Sequence, residues 1–294
     1  MEIFENVAEE LFDPDAQVDH LAGGFSWAEG PVWNFEAGYL TFSDVIGNTM
    51  HRYDDSGGVR VYRQPSNFSN GQTRDTEGRL ISCEHRTRRL TRETGDGVEV
   101  IVDGYEGKKF NSPNDVVAAR DGSLIFTDPT YGLTKIEEGG GGEREMPFQG
   151  VYRIPSGSNT AELLVDDFVG PNGLALSPEE DRLYVADTEQ RHVRVFGIES
   201  GWALSGGEVL VDIPTEGDEV PDGVKVDARG NVYCTGKGGI WVCSPEGKML
   251  AHINVPENTA NLAWGDDDAR TLYLTADSGL YRIRCRTAGY TPHR

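Results

Sequence analysis

The chain has 294 residues, 37 glycines and a formal charge of −22. That charge opposes nucleic acid and anionic membrane as partners, and no apolar run approaches the roughly 20 residues a helix needs to cross a bilayer. The length suits two small domains or one large all-β domain, and either buries most of its apolar surface without disulfides.

Residues 1–16 read as an arm with a mildly helical apolar pattern around Pro14. The opening Met1-Glu-Ile-Phe-Glu-Asn6 is acidic rather than basic, so a secretory leader is not expected and the protein is read as cytoplasmic. Gln17 to Leu21 alternates polar and apolar as a strand does, with no turn partner of its own. In a ring of sheets such an orphan strand completes the last sheet and closes the circle.

A unit that opens on Glu29-Gly-Pro31 then returns as Asn70-Gly71, Asn114-Asp115, Asn172-Gly173, Asp222-Gly223 and Asn261-Leu262. A β-rich run ends 14 or 15 residues after each opening, as in Leu40–Asp44, Leu124–Asp128 and Leu183–Asp187. Unit starts lie 41, 44, 58, 50 and 39 residues apart. Repeats of about 40–50 residues with four short strands each predict a β-propeller, here six-bladed over residues 17–294. The long third spacing comes from an insertion over 135–147 with four consecutive glycines, which reads equally as a lid or as a tolerated surface loop. Cys83, Cys234, Cys243 and Cys285 lack CxxC spacing, so structural zinc is not expected. Cys234 and Cys243 flank a hairpin across which they could pair, with buried thiols as the default reading.

In a propeller the first strand of each blade lines the channel and the second returns beside it. Unit openings and second-strand ends therefore meet at one face, as an inner set (Glu29, Asn70, Asn114, Asn172, Asp222, Asn261) and an outer set (Asp44, Glu84 with His85, Asp128, Asp187, Gly236, and Ala276 with Asp277). Converging carboxylate and carboxamide oxygens suit a hard divalent cation. Asn-Gly and Asp-Gly are also ordinary turn formers. Glu29 is not, and proline fixes the backbone before Asn114, Asn172 and Asp222.

These residues resemble the senescence-marker-protein-30/gluconolactonase/luciferin-regenerating-enzyme-like family. The resemblance rests on Ala28-Glu-Gly-Pro31 with Trp33, Ser112-Pro-Asn-Asp115, Phe126-Thr-Asp-Pro-Thr-Tyr-Gly132, Gly170-Pro-Asn-Gly-Leu174 and Val220-Pro-Asp-Gly223, and Cys83-Glu-His-Arg86 is similar to its bacterial gluconolactonase branch. It implies a six-bladed propeller that hydrolyses sugar lactones. It also implies one divalent ion held by Glu29, Asn114, Asn172 and Asp222, calcium first, with magnesium, manganese or zinc as alternatives. Asp222 is the candidate general base, and His85, Asn114, Asp128 and Asn70 are candidate substrate contacts. Arg74, Arg86 and Arg88 are candidates either to attract an anionic sugar acid or to form surface salt bridges. No Gly-x-Ser-x-Gly elbow occurs, which argues against a serine nucleophile. The rival readings are an organophosphate or aryl-ester hydrolase on the same metal site, and a propeller that only binds partners.

Overall fold

The second strand of each unit is mostly apolar on both of its faces because both are covered. Tyr39–Asp44, Leu124–Asp128 and Thr271–Ala276 are buried at every residue, whereas outer strands such as Leu204–Asp212 are half-exposed. A computed structural model of the chain describes residues 2–4, 10–13 and 15–292. It shows six blade sheets of antiparallel neighbours, ordered as sequential meanders around a channel, and a separate two-stranded sheet of Gly104–Tyr105 with Lys108–Lys109.

Blade 1 comprises Ala28–Asn34, Tyr39–Asp44, Thr49–Asp54 and Gly58–Arg63. The innermost strands of blades 2 to 6 are Ser69–Arg74, Val116–Ala118, Pro171–Leu176, Val224–Val226 and Thr259–Gly265. The sixth sheet takes its outermost strand from the chain's beginning: Asp19–Gly23 pairs antiparallel with Gly279–Arg284. The expected closing strand is therefore present, two residues later than the alternation placed it. Glu2–Ile3 adds a fifth strand to blade 5, beside Met249–Asn254. Leu11 and Phe12 are fully buried in the core between blades 5 and 6. The helical pattern expected within 1–16 falls largely on residues outside the described set.

Apolar clusters fill the wedges between successive blades. The wedge between blades 1 and 2 is more polar: Tyr62 donates to Glu93 (2.6 Å), Arg63 pairs with Glu84 (3.6 Å), and Arg74 Nε donates to the Trp33 carbonyl (3.3 Å). All four cysteines are buried free thiols, so Cys234 and Cys243 are not bridged. Among the described residues no helix is long and apolar enough to cross a membrane.

Candidate active site at one mouth of the channel

The unit openings are not hairpin turns. They sit in or just before the innermost strands, which slip register between Glu29 and Val32, Ser69 and Gln72, Pro171 and Leu174, and Thr259 and Asn261. Such bulges re-aim a side chain out of the regular alternation. Here they stand at the channel mouth.

The glycines after these residues serve close packing between blades. Gly71 N donates to the Asn114 carbonyl (2.7 Å), and Gly173 N donates to that of Asp222 (2.9 Å). A Cβ at Gly173 would lie 2.2 Å from the Asp222 oxygen, and one at Gly30 would lie 2.0 Å from the Asn70 oxygen. Hydroxyls one residue before the second-strand ends complete the ring. Ser43 Oγ donates to Asn70 O and Thr127 Oγ1 to Asn172 O (both 2.8 Å), and Thr235 Oγ1 accepts from Asp222 N (2.8 Å). Sequence reasoning missed these hydroxyls, although their constant place in the repeat is a usable signal.

Glu29, Asn70, Asn114, Asn172 and Asp222 line one cavity of about 560 Å³. Asn172 Nδ2 donates to Thr188 Oγ1 (3.0 Å), which itself donates to the Pro221 carbonyl (2.6 Å). This chain holds the Asn172 carboxamide in one orientation. Asn70 Oδ1, Asn172 Oδ1 and one oxygen of Asp222 are buried without any hydrogen-bond partner. Three orphaned acceptors in one cavity are costly unless something positive or hydrogen-bond-donating meets them.

His85 and Asp128 do not line this cavity. His85 stands behind Asn70, with Nδ1 3.0 Å from the Glu138 carbonyl and Nε2 3.4 Å from Asn70 Nδ2. If Nδ1 carries the proton, Nε2 accepts from Asn70 and turns that residue's oxygen outward. Asp128 is wholly buried; its Oδ2 accepts from Asn111 N (2.8 Å), and its Oδ1 is left without a partner. Three more of the outer set do similar work. Asp44 accepts from the backbone of Ser26, Trp27 and Gly47, Asp187 accepts from Val169, Gly170 and Gln190, and Glu84 is engaged by Asn67, Thr87 and Arg89. These carboxylates brace the loops between blades and stand off the cavity wall, whereas Asp277, the outer-set carboxylate of blade 6, lines the cavity. Asn261 is likewise off the wall, its Oδ1 accepting from Leu262 N (2.9 Å). Arg74, Arg86 and Arg88 also lie away from it. Arg88 is spent on the Phe110 carbonyl and Glu145.

Residues 27–278 match the SMP-30/Gluconolactonase/LRE-like region. The chain belongs to that family. It is 31% identical to a gluconolactonase of Zymomonas mobilis, over 95% of this chain and 84% of that protein. A pentonolactonase of Haloferax volcanii is 28% identical, over 85% of this chain and 81% of its own length. Among solved structures, a gluconolactonase from Xanthomonas campestris superposes with a TM-score of 0.90 at 33% identity, covering 97% of this chain and 94% of that one.

For a member of the SMP-30/gluconolactonase family, the donor set of this mouth is a fair test of whether a cation belongs there. Burial pushes the Glu29 carboxyl up to about 7, aided by the Asp115 charge and opposed by the Gly30 N–H. Burial, and then the Glu29 charge, raise Asp222 well above the usual carboxylate range. Two acids held that way, with orphaned carboxamide oxygens beside them, form an all-oxygen set suited to a hard divalent cation. Among the described residues no three His, Cys, Asp or Glu side chains gather into a metal cluster, because half of this candidate set is carboxamide.

The segment from Tyr131 into the insertion adds to the wall. Tyr131–Thr134 and Ile136–Gly139 form two short helical turns, and Tyr131, Lys135 and Glu138 line the cavity. Lys135 Nζ pairs with Glu138 (2.8 Å). Burial acts to lower the Lys135 ammonium, but that hydrogen bond and the charges of Glu138 and Asp222 outweigh it and raise it. Gly132 lets the first turn settle onto His85, whose Cβ would lie 2.7 Å from a side chain at that position.

Proposed function

We propose that the protein hydrolyses sugar lactones, with a divalent cation, calcium first, held by Glu29, Asn114, Asn172 and Asp222. The observation that carries this reading is the convergence of two carboxylates and orphaned carboxamide oxygens on one cavity. The gluconolactonase and pentonolactonase relatives support a five- or six-carbon aldonolactone as substrate. A bound divalent ion would supply Lewis-acid polarisation and acidification of water at this mouth.

The chain's own residues do the rest. Asp222 accepts the proton of the attacking water as it adds to the lactone carbonyl. The ring C–O bond then breaks, its oxygen takes a proton, and an open hydroxy acid leaves. Asn70 offers its oriented Oδ1 to a substrate hydroxyl, and His85 keeps it turned that way. Tyr131, Lys135 and Glu138 wall the cavity against bulk water. Four buried thiols fit a reducing compartment, and we place the reaction in the cytoplasm.

The test is a panel of aldonolactones assayed by proton release, after chelation and with calcium, magnesium, manganese and zinc restored singly. Lactone opening that is lost on chelation and restored by one of these ions is expected. A chain that opens no lactone under any of these conditions refutes the reading. Activity that survives chelation removes the cation from it.

A further inference from the structure

A single turn of blade 2 meets the insertion of blade 3 at successive points. The turn is residues 85–88, between Leu80–Glu84 and Arg89–Thr94. His85 Nδ1 lies 3.0 Å from the Glu138 carbonyl, and a Cβ at Gly140 would lie 2.3 Å from Arg86 Nη1. Arg88 Nη1 then donates to the Glu143 carbonyl (3.2 Å) and to Glu145 Oε1 (3.3 Å). The contacts keep the same order along both segments, so the insertion is laid down along the turn and not merely tethered at its ends.

Arg88 is the centre of this contact. Its side chain is 12% exposed, and besides the insertion its guanidinium donates to the carbonyls of Phe110 and Lys109 (Nη2, 3.4 Å). Glu145 completes the join by accepting from Lys109 N (3.0 Å) with its other oxygen. A planar guanidinium fork serves acceptors from different segments at once, which an ammonium on a flexible stem does poorly. The backbone at Arg88 is left-handed (φ 57°), which is costly for an arginine, and the acceptors its side chain gathers offset the cost. The consecutive glycines give the insertion its shape: Gly140 and Gly141 are left-handed (φ 81° and 72°), and a Cβ at Gly139 would lie 2.4 Å from the Gly132 carbonyl oxygen.

We propose that Arg88 is a positioning residue for substrate recognition: it holds the insertion on blade 2 and thereby fixes the Lys135–Glu138 pair in the cavity wall, where that pair meets the hydroxyls of the sugar ring. The proposal rests on the lactone reading. Glu138 is 8% exposed and its carboxylate holds Lys135 Nζ at 2.8 Å, while the ammonium also lies 5.4 Å from the Tyr131 ring centroid. Tyr131, Lys135 and Glu138 all line the cavity. Beyond burial, the Glu138 charge adds to the rise of both Glu29 and Asp222, so the pair acts within electrostatic reach of the ring. A fixed ammonium beside a carboxylate presents charged donors and acceptors together, which suits neighbouring hydroxyls. Freed from Arg88, the pair drifts on its glycine run. Substrate binding must then order it, which lowers affinity more than it slows the chemical step.

Arg88→Asn tests this, because asparagine accepts the left-handed backbone and is too short to reach Glu143 or Glu145. Hydrogen exchange read by mass spectrometry follows the segment directly, through the amides of Leu133, Lys135, Glu138 and Gly140 that the helical turns protect. Exchange there should rise at least about tenfold while that of the other blades stays unchanged. KM for the preferred lactone should rise about tenfold, with kcat within about threefold of the parent. Glu145→Ala, which breaks the same join from the insertion's side, should do both to a lesser degree, and Arg88→Lys should fall between the parent and Arg88→Asn. Unchanged exchange in Arg88→Asn and Glu145→Ala overturns the docking. Faster exchange across all blades, or faster exchange in the segment with KM unchanged, overturns the positioning role. If the parent opens no lactone, the recognition role falls with the lactone reading, whereas the exchange result by itself still upholds or refutes the docking.

Discussion

Glu29→Gln reverses the sign of its effect according to whether a cation is present. In chelated protein the Glu29 carboxyl is 2% exposed and burial pushes it up to about 7, against 4.5 for a free glutamate. Between those values the folded chain keeps a proton that the unfolded chain has released. The contribution of this one carboxyl to stability is therefore greatest below pH 4.5, falls as pH rises through about 7, and levels off above it. The gap of about 2.5 pH units corresponds to about 3 kcal/mol, or about 5 °C in Tm for a chain of this length. Glutamine does not titrate. Chelated Glu29→Gln should thus melt about 5 °C above the parent at pH 8 and level with it at pH 4.5. Calcium at about 100 times its Kd should stabilise the parent by about 2.7 kcal/mol and the variant far less. Scanning calorimetry at both pH values, in chelator and in calcium, reads all four cases. A variant that melts at or below the parent in chelator at pH 8, or that gains as much from calcium, refutes the electrostatic account of this ring.

Asp222→Ala should lower kcat/KM for the preferred lactone by about 10²–10⁴-fold while leaving circular dichroism unchanged; steady-state assay of the calcium-loaded enzyme decides it. Burial holds the His85 imidazole down at about 4, so the fold gains by its neutrality above pH 6.5 and loses that gain as pH falls from 6.5 to 4, by up to about 3 kcal/mol. Urea unfolding of the parent and His85→Gln across this range should show a shallower acid loss in the variant. Asn70→Ala should raise KM about tenfold with a smaller change in kcat, matching the loss of one hydrogen bond to substrate. Deleting residues 1–22 removes most of the strand beside Gly279–Arg284 and should abolish the single cooperative thermal transition; a truncation that keeps the parent Tm would show that the closing strand is dispensable.

The blade count and the ring were both legible from the chain, because a period of about 40–50 residues repeats one register and every opening carries an oxygen donor. The closing strand was legible for a different reason: an alternating run without a turn partner must find its partner elsewhere. The family assignment agrees with the motifs at Glu29, Asn114, Asn172 and Asp222. The glycines, however, were read as turn formers, and in the structure they are where one blade's backbone leans on the next. Local composition cannot separate those two uses, since both require a residue without a side chain.

The opening residues of the units were thus set out by sequence alone, since strand periodicity decides which positions share a face of the ring. Only the tertiary structure decided which oxygens are left to act. Asp44, Glu84 and Asp187 carry the same chemistry as the inner set, but each is drawn into holding a loop or a neighbouring side chain, and Asp128, which keeps one oxygen unmet, lies off the cavity. Asn70 and Asn172 keep an oxygen unmet because their amide nitrogens are tied back by His85 and Thr188, and Thr235 anchors the backbone N–H of Asp222, one of whose carboxylate oxygens is also unmet. Those partners lie at 15, 16 and 13 residues' separation, across strands whose pairing register no local pattern states. The same holds for Arg88 and Glu143, 55 residues apart, which meet only once blades 2 and 3 stand side by side.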